Sequence, residues 1–186
     1  MDEKEAIAFH RWTVERFQKA DVDFLFAGIM PCLPEAAGLA KAIDDTGLPY
    51  IISFTIQQDG KLIDGTTIAD AIQYIDERTV NRPVCYMANC VHPSIVLKAL
   101  LQPFNHLSIV KERFRGVQAN TSSLSYKELD NSVDLKWSAA DKFAEEMMKL
   151  ANIGNFQIWG GCCGTDDRHM ECVAKKLSTY AIFCMK

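Results

Sequence analysis

Three cysteines in two distant segments are the residues most able to do chemistry. Cys90 closes the stretch Met87-Ala88-Asn89-Cys90, and Cys162 and Cys163 sit inside Gly160-Gly161-Cys162-Cys163-Gly164-Thr165. A catalytic zinc takes three protein ligands and keeps its fourth position for water or substrate. Soft thiolates favour Zn²⁺ over Mg²⁺ or Ca²⁺. A substrate thiol in the open position would lose its proton to become a nucleophile at neutral pH. The alternative for each cysteine is a small core residue, since free cysteine is often buried. The glycines around the vicinal pair suit a turn that presents adjacent side chains to one ion, or an ordinary strand-to-helix turn.

The remaining candidates are weaker. Asn89 and Asn120 can bind or orient substrate, support the ligands from behind, or cap turns. His92, two residues after Cys90, is a competing ligand, although Pro93 beside it indicates a helix entry. Cys32 is a possible fourth thiol. Glu35 reads as a charge at a helix N-terminus, and His169 as part of a helix's first turn. Cys85 precedes Cys90 by an odd offset, so strand alternation predicts that it faces outward against helices. Cys172 and Cys184 are expected to pack helices.

These residues need elements to position them. Apolar, β-branched or aromatic runs occur at residues 24–30, 50–56, 84–88, 114–119 and 156–159. Between them, helical spacing recurs at 34–46, 67–78, 94–101, 138–151 and 169–183, with another helix predicted over 3–20. Strands alternating with helices predict a parallel sheet, and nearly all-apolar strands predict helical cover. In such folds the chemistry gathers at the C-terminal ends of the strands, which is where Asn89-Cys90, Asn120-Thr121 and Cys162-Cys163 fall. Only five strands can be counted, whereas a (β/α)₈ barrel has eight. A five-stranded arc leaves parallel edges open, so self-association or a chain supplying further strands is expected.

Composition bounds the rest. The chain has 186 residues, 48% hydrophobic and 24% charged, with a formal net charge of −4. That is an ordinary globular composition and predicts one domain over 1–186. An acidic balance without basic clusters argues against nucleic acid or an anionic membrane as partner. No apolar run is long enough to span a bilayer, and the start lacks a secretory core, so a cytoplasmic location is expected. Seven cysteines, an odd number at irregular spacing, predict reduced thiols rather than a disulfide framework.

At the cysteine segments the sequence resembles the zinc-dependent homocysteine S-methyltransferase family. That family carries Gly-x-Asn-Cys after its sixth barrel strand and Gly-Gly-Cys-Cys-Gly-Thr after its eighth. Asp59 to Gly65 resembles the loop after the fifth strand, Asn120 the asparagine after the seventh, and Trp137 an aromatic before the last large helix. The resemblance implies a partial (β/α)₈ TIM-type barrel of about five parallel βα units, strands four to eight, lacking the N-terminal strands. It implies Cys90, Cys162 and Cys163 as Zn²⁺ ligands. It implies transfer of a methyl group from a sulfonium, ammonium or folate-type donor to homocysteine or a similar thiol, giving methionine. The alternative is a non-catalytic or partner-dependent zinc-binding partial barrel. Two positions depart from the family. Met87 replaces the motif's first glycine. Gly28 and Ile29 stand where the family has Glu-Thr, whose glutamate meets the amino group of homocysteine; a charge-assisted hydrogen bond of that kind is worth about 1.5–3 kcal/mol.

Overall fold

The computed structural model describes the backbone of residues 1–184, and the side chains of all of these except residues 126, 127 and 181–184. Five strands, β1 (Leu25–Met30), β2 (Tyr50–Phe54), β3 (Cys85–Val91), β4 (Phe114–Ala119) and β5 (Ile158–Gly161), form one parallel sheet in chain order. Among the described residues eight helices accompany them: α1 (Glu3–Lys19), α2 (Leu33–Asp44), α3 (Ile68–Arg78), α4 (Pro93–Leu100), α5 (Ser108–Arg113), α6 (Tyr126–Leu129), α7 (Ala140–Ala151) and α8 (Asp167–Cys184). The expected α/β class, with five parallel strands in one sheet, is what the structure contains. The side chain of Cys184 lies outside the described residues. No helix among those residues is long and apolar enough to cross a membrane.

Local chemistry explains the helix starts. Asp2 and Glu5 exchange hydrogen bonds in a capping box on α1, at 2.8 and 2.9 Å. Thr67 caps α3 through the Asp70 N–H. His92 caps α4 by accepting from the Ser94 N–H, with Pro93 in the first turn. Glu35 lies in the first turn of α2, with a carboxylate oxygen 3.5 Å from His10 Nε2. α5 was not foreseen; with only Ile109 and Val110 apolar, its six residues carry too little periodicity.

Alternation along each strand separates two faces. Leu25, Ala27, Tyr50, Ile52, Phe54, Tyr86, Ala88, Val117 and Ala119 join one buried cluster with the apolar sides of the helices. On that side the Tyr86 hydroxyl donates to Asp76 of α3 at 2.9 Å, and Arg113 clamps the same carboxylate at 2.9 and 3.1 Å. The opposite face carries Phe26, Ser53, Cys85, Met87 and Asn89. Cys85 thus departs from the expected outward packing. It neighbours Tyr86, which reaches α3, and so points away from the helices. The parity argument fails because Cys90 has a left-handed backbone, φ 56°, which breaks the alternation that would relate it to Cys85.

The sheet has three register shifts: between Tyr86 and Met87 the extra residue, Arg115, lies on β4, and the other two lie on β1 and β3. Between Ala27 and Met30, β1 carries one residue more than β2, and between Asn89 and Val91, β3 carries one more than β4. β1 and β5 are the edge strands. Beside the free edge of β1, Phe26 is 42% exposed, and Phe9, Trp12 and Phe17 of α1 are also exposed.

Candidate metal centre

The ends of β3 and β5 bring the three expected sulfurs together. Cys90 Sγ lies 3.2 Å from Cys162 Sγ and 3.8 Å from Cys163 Sγ. All three lie within 4.8 Å of one another, the one such grouping of potential metal ligands among the described residues. Two sulfurs on a tetrahedral zinc at about 2.3 Å sit about 3.8 Å apart. The donor set and spacing therefore fit such an ion, with the Cys90–Cys162 pair opening by about half an ångström to receive it. Cys90 and Cys162 are half-buried and Cys163 is exposed, so the trio has a solvent-facing side. Burial, followed by hydrogen bonding to Cys162, pushes the Cys90 thiol well above the ordinary thiol range. Without a cation Cys90 therefore holds its proton; a bound metal reverses that preference.

The backbone around the vicinal pair is held on both sides. Cys162 N–H donates to Ala119 O at 2.8 Å, and the Cys162 carbonyl accepts from the Thr165 hydroxyl at 2.6 Å. Cys163 N–H donates to Asn120 Oδ1 at 3.1 Å, while Thr121 N–H donates to the Cys163 carbonyl at 3.1 Å. Gly164 turns the chain with φ 81°, and a side chain there would collide with the Thr121 hydroxyl. The pair is thereby fastened to the end of β4 by Asn120 and Thr121, both buried.

On the other side of the trio, Asn89 is 3% exposed and accepts from the Ile29 N–H at 2.9 Å. Asn89 and Asn120 thus both lie against the cysteine segments, each with its amide oxygen on a backbone N–H. His92 is engaged with Ser94 and stands outside the cluster, as does Cys32, which precedes α2. His169 is in the first turn of α8, buried, with Nδ1 2.7 Å from Asp166 and Nε2 2.9 Å from the Ser138 carbonyl. Sequence reasoning placed Thr121 at a strand end and Ile29 at a departure from the family, but missed the hydrogen bond each makes to the cysteine segments. Thr121 carries only the weak signal of following Asn120 at a strand end. Ile29 carries no signal of its bond, because a β-branched residue is the least expected occupant of a left-handed backbone.

Two clefts meet at Cys90. One, of about 440 Å³, is walled by Ile56, Ile63, Ile95 and Leu124, with Gln57 and Asp59 at its polar side. The other, of about 450 Å³, includes Asn120, Ser122, Lys136 and Cys163. A site shared by two clefts can bring two small molecules to one sulfur-lined point.

The family model described as Homocysteine S-methyltransferase matches residues 1–177, and the chain belongs to the homocysteine S-methyltransferase family. It is 26% identical over 185 residues to the homocysteine S-methyltransferase YbgG of Bacillus subtilis (strain 168), covering 94% of this chain and 53% of that protein. In fold it is similar to the homocysteine methyltransferase MmuM of Escherichia coli. The apo form gives a TM-score of 0.67 at 20% identity, covering 95% of this chain and 58% of that one. The oxidized form gives 0.64, also at 20% identity, covering 96% and 53%. The chain thus spans about half the length of these relatives.

Proposed function

We propose that this chain forms the metal-bearing part of a zinc-dependent methyltransferase that moves a methyl group to the thiol of homocysteine or a similar thiol, giving methionine. The convergence of Cys90, Cys162 and Cys163 carries this reading, since three thiolates with one side open are what a thiol-activating zinc needs. When bound, the ion supplies a Lewis acid that holds a substrate thiol deprotonated near neutral pH. The chain's own residues do the rest. The three cysteines bind the ion, and Asn120 and Thr121 fix the vicinal pair. The two clefts give the thiol and the methyl donor separate approaches. Asn89 and Asn120 bind substrate through their amide NH₂ groups, their oxygens being committed to backbone N–H groups.

In this reading the five strands are strands four to eight of a TIM-type barrel, residues 1–186 are one domain, and the location is cytoplasmic. A second copy of the chain, or a chain bearing further strands, covers the β1 and β5 edges. One observation favours a second reading, a zinc site that is non-catalytic or dependent on a partner. Gly28 and Ile29 bring no carboxylate to the end of β1, and Phe26 beside them is left exposed. Zinc analysis paired with methionine formation from homocysteine and S-methylmethionine separates the readings. Zinc with turnover supports the first, zinc without turnover the second, and a chain that retains no zinc refutes both.

A further inference from the structure

Two of the sheet's three register shifts, those of β1 and β3, are joined, and the joint lies beside Cys90. Each centres on a non-glycine residue with a left-handed backbone, Ile29 at φ 60° in β1 and Cys90 at φ 56° in β3. A bulged residue loses its place in the strand ladder, and its N–H needs another acceptor. For Ile29 that acceptor is Asn89 Oδ1, at 2.9 Å. The bond passes over β2, from the third strand to the first, on the face away from the helices. Asn89 is buried, and the next residue is Cys90, so fixing its side chain also fixes the turn that aims the sulfur.

A left-handed β-branched residue is a genuine outlier that persists only where its surroundings over-determine it. Here the partner that holds the outlier is the residue preceding a candidate ligand. Strain in β1 and ligand placement in β3 are therefore linked through one hydrogen bond. Asn120 does the corresponding work at Cys163 directly, by accepting that residue's N–H. The two asparagines brace the trio from opposite sides.

We infer that Asn89 is a positioning residue for the sulfur cluster, acting through the backbone of Ile29. The inference rests on the metal reading above and adds a residue that would govern metal affinity without touching the ion. Glycine adopts a left-handed backbone without steric cost. An Ile29→Gly chain therefore keeps the β1 bulge with less need of the asparagine, and the effects of changing Asn89 and Ile29 are coupled.

The test measures Zn²⁺ affinity by chelator competition, and the thiolate charge-transfer absorption of the Co²⁺-loaded chain, for wild type, Asn89→Ala, Ile29→Gly and the double variant. Asn89→Ala should weaken Zn²⁺ binding by about 10–100-fold and alter the Co²⁺ band, the usual range for removing a group that orients a ligand. Ile29→Gly should bind like wild type. In the Ile29→Gly background the Asn89→Ala loss should shrink to about threefold or less. Wild-type affinity and spectrum in Asn89→Ala would overturn the inference, as would an undiminished loss in the double variant. Should Asn89→Ala alone fail to fold, a folded, metal-binding double variant supports the brace and an unfolded one overturns it. A wild-type chain without zinc affinity would overturn both this inference and the reading it rests on.

Discussion

Cys162→Ser should abolish most of the stabilisation that zinc confers. The wild-type sulfurs stand at 3.2 and 3.8 Å from Cys90, close to the separation a tetrahedral ion imposes, so little rearrangement opposes binding. Zinc sites of four protein ligands bind with about 10–16 kcal/mol, or roughly 2.5–4 kcal/mol per ligand. A serine hydroxyl is a harder and far less acidic donor, so the substitution should weaken Zn²⁺ binding by about 10²–10³-fold. At free zinc 100-fold above the wild-type Kd, the ion stabilises the wild type by about 2.7 kcal/mol. A variant weakened 100-fold gains about 0.4 kcal/mol at the same zinc. For a chain of this size each kcal/mol moves Tm by about 2–4 °C, giving about 5–11 °C for wild type and about 1–2 °C for the variant. Differential scanning fluorimetry under reducing conditions, with and without Zn²⁺, reads this directly. Cys172→Ser, a half-buried cysteine on α8 outside the cluster, should keep the full shift. Equal zinc-induced shifts in Cys162→Ser and wild type would refute the assignment.

Further outcomes follow from the same geometry. Asn120→Ala removes the acceptor for the Cys163 N–H and should lower Zn²⁺ affinity by about 10–100-fold in chelator competition. Arg113→Ala leaves the Asp76 carboxylate with the Tyr86 hydroxyl but no cation. It should cost about 3 kcal/mol in urea denaturation, the low end for breaking a buried pair because a quarter of the arginine side chain is exposed. Asp44 is held below the ordinary carboxylate value of 3.8: burial opposes ionisation, but the Asn81 and Val80 N–H groups and Lys41 outweigh it. Its contribution is complete above the unfolded-state value and is lost as pH falls through the lower folded one. Asp44→Asn should therefore be less stable than wild type at neutral pH by about 1.5–3 kcal/mol, with the gap closing below about pH 4 in urea melts. Because β1 and β5 are open edges, light scattering should detect association, and Phe26→Glu should weaken it; a wild-type chain that stays monomeric at high concentration would contradict this.

Much of this was legible in the sequence because it rests on local pattern. The near-continuous apolar strands and intervening helical periods give the parallel sheet, and the rim position of the cysteine motifs follows from strand ends alone. The meeting of Cys90 with Cys162 and Cys163 was the strongest expectation, and the sulfurs do meet. The Cys85 orientation was not legible. It depends on a bulge at Cys90, and counting residues assumes unbroken alternation. The Asn89–Ile29 bond was hidden for a similar reason: it joins strands that are not neighbours, and isoleucine is a poor indicator of a left-handed turn. Asn120 could be singled out by its place after a strand, but not the carboxamide's hold on the Cys163 N–H, which requires the register of β4 against β5.

X-ray absorption at the zinc edge of the zinc-loaded, dialysed chain tests the central claim most directly. About three sulfurs at about 2.3 Å with one lighter atom at about 2.0–2.1 Å is the expected shell, falling to two sulfurs in Cys90→Ser. A shell of nitrogen and oxygen alone, or a chain that retains no zinc, would contradict the account.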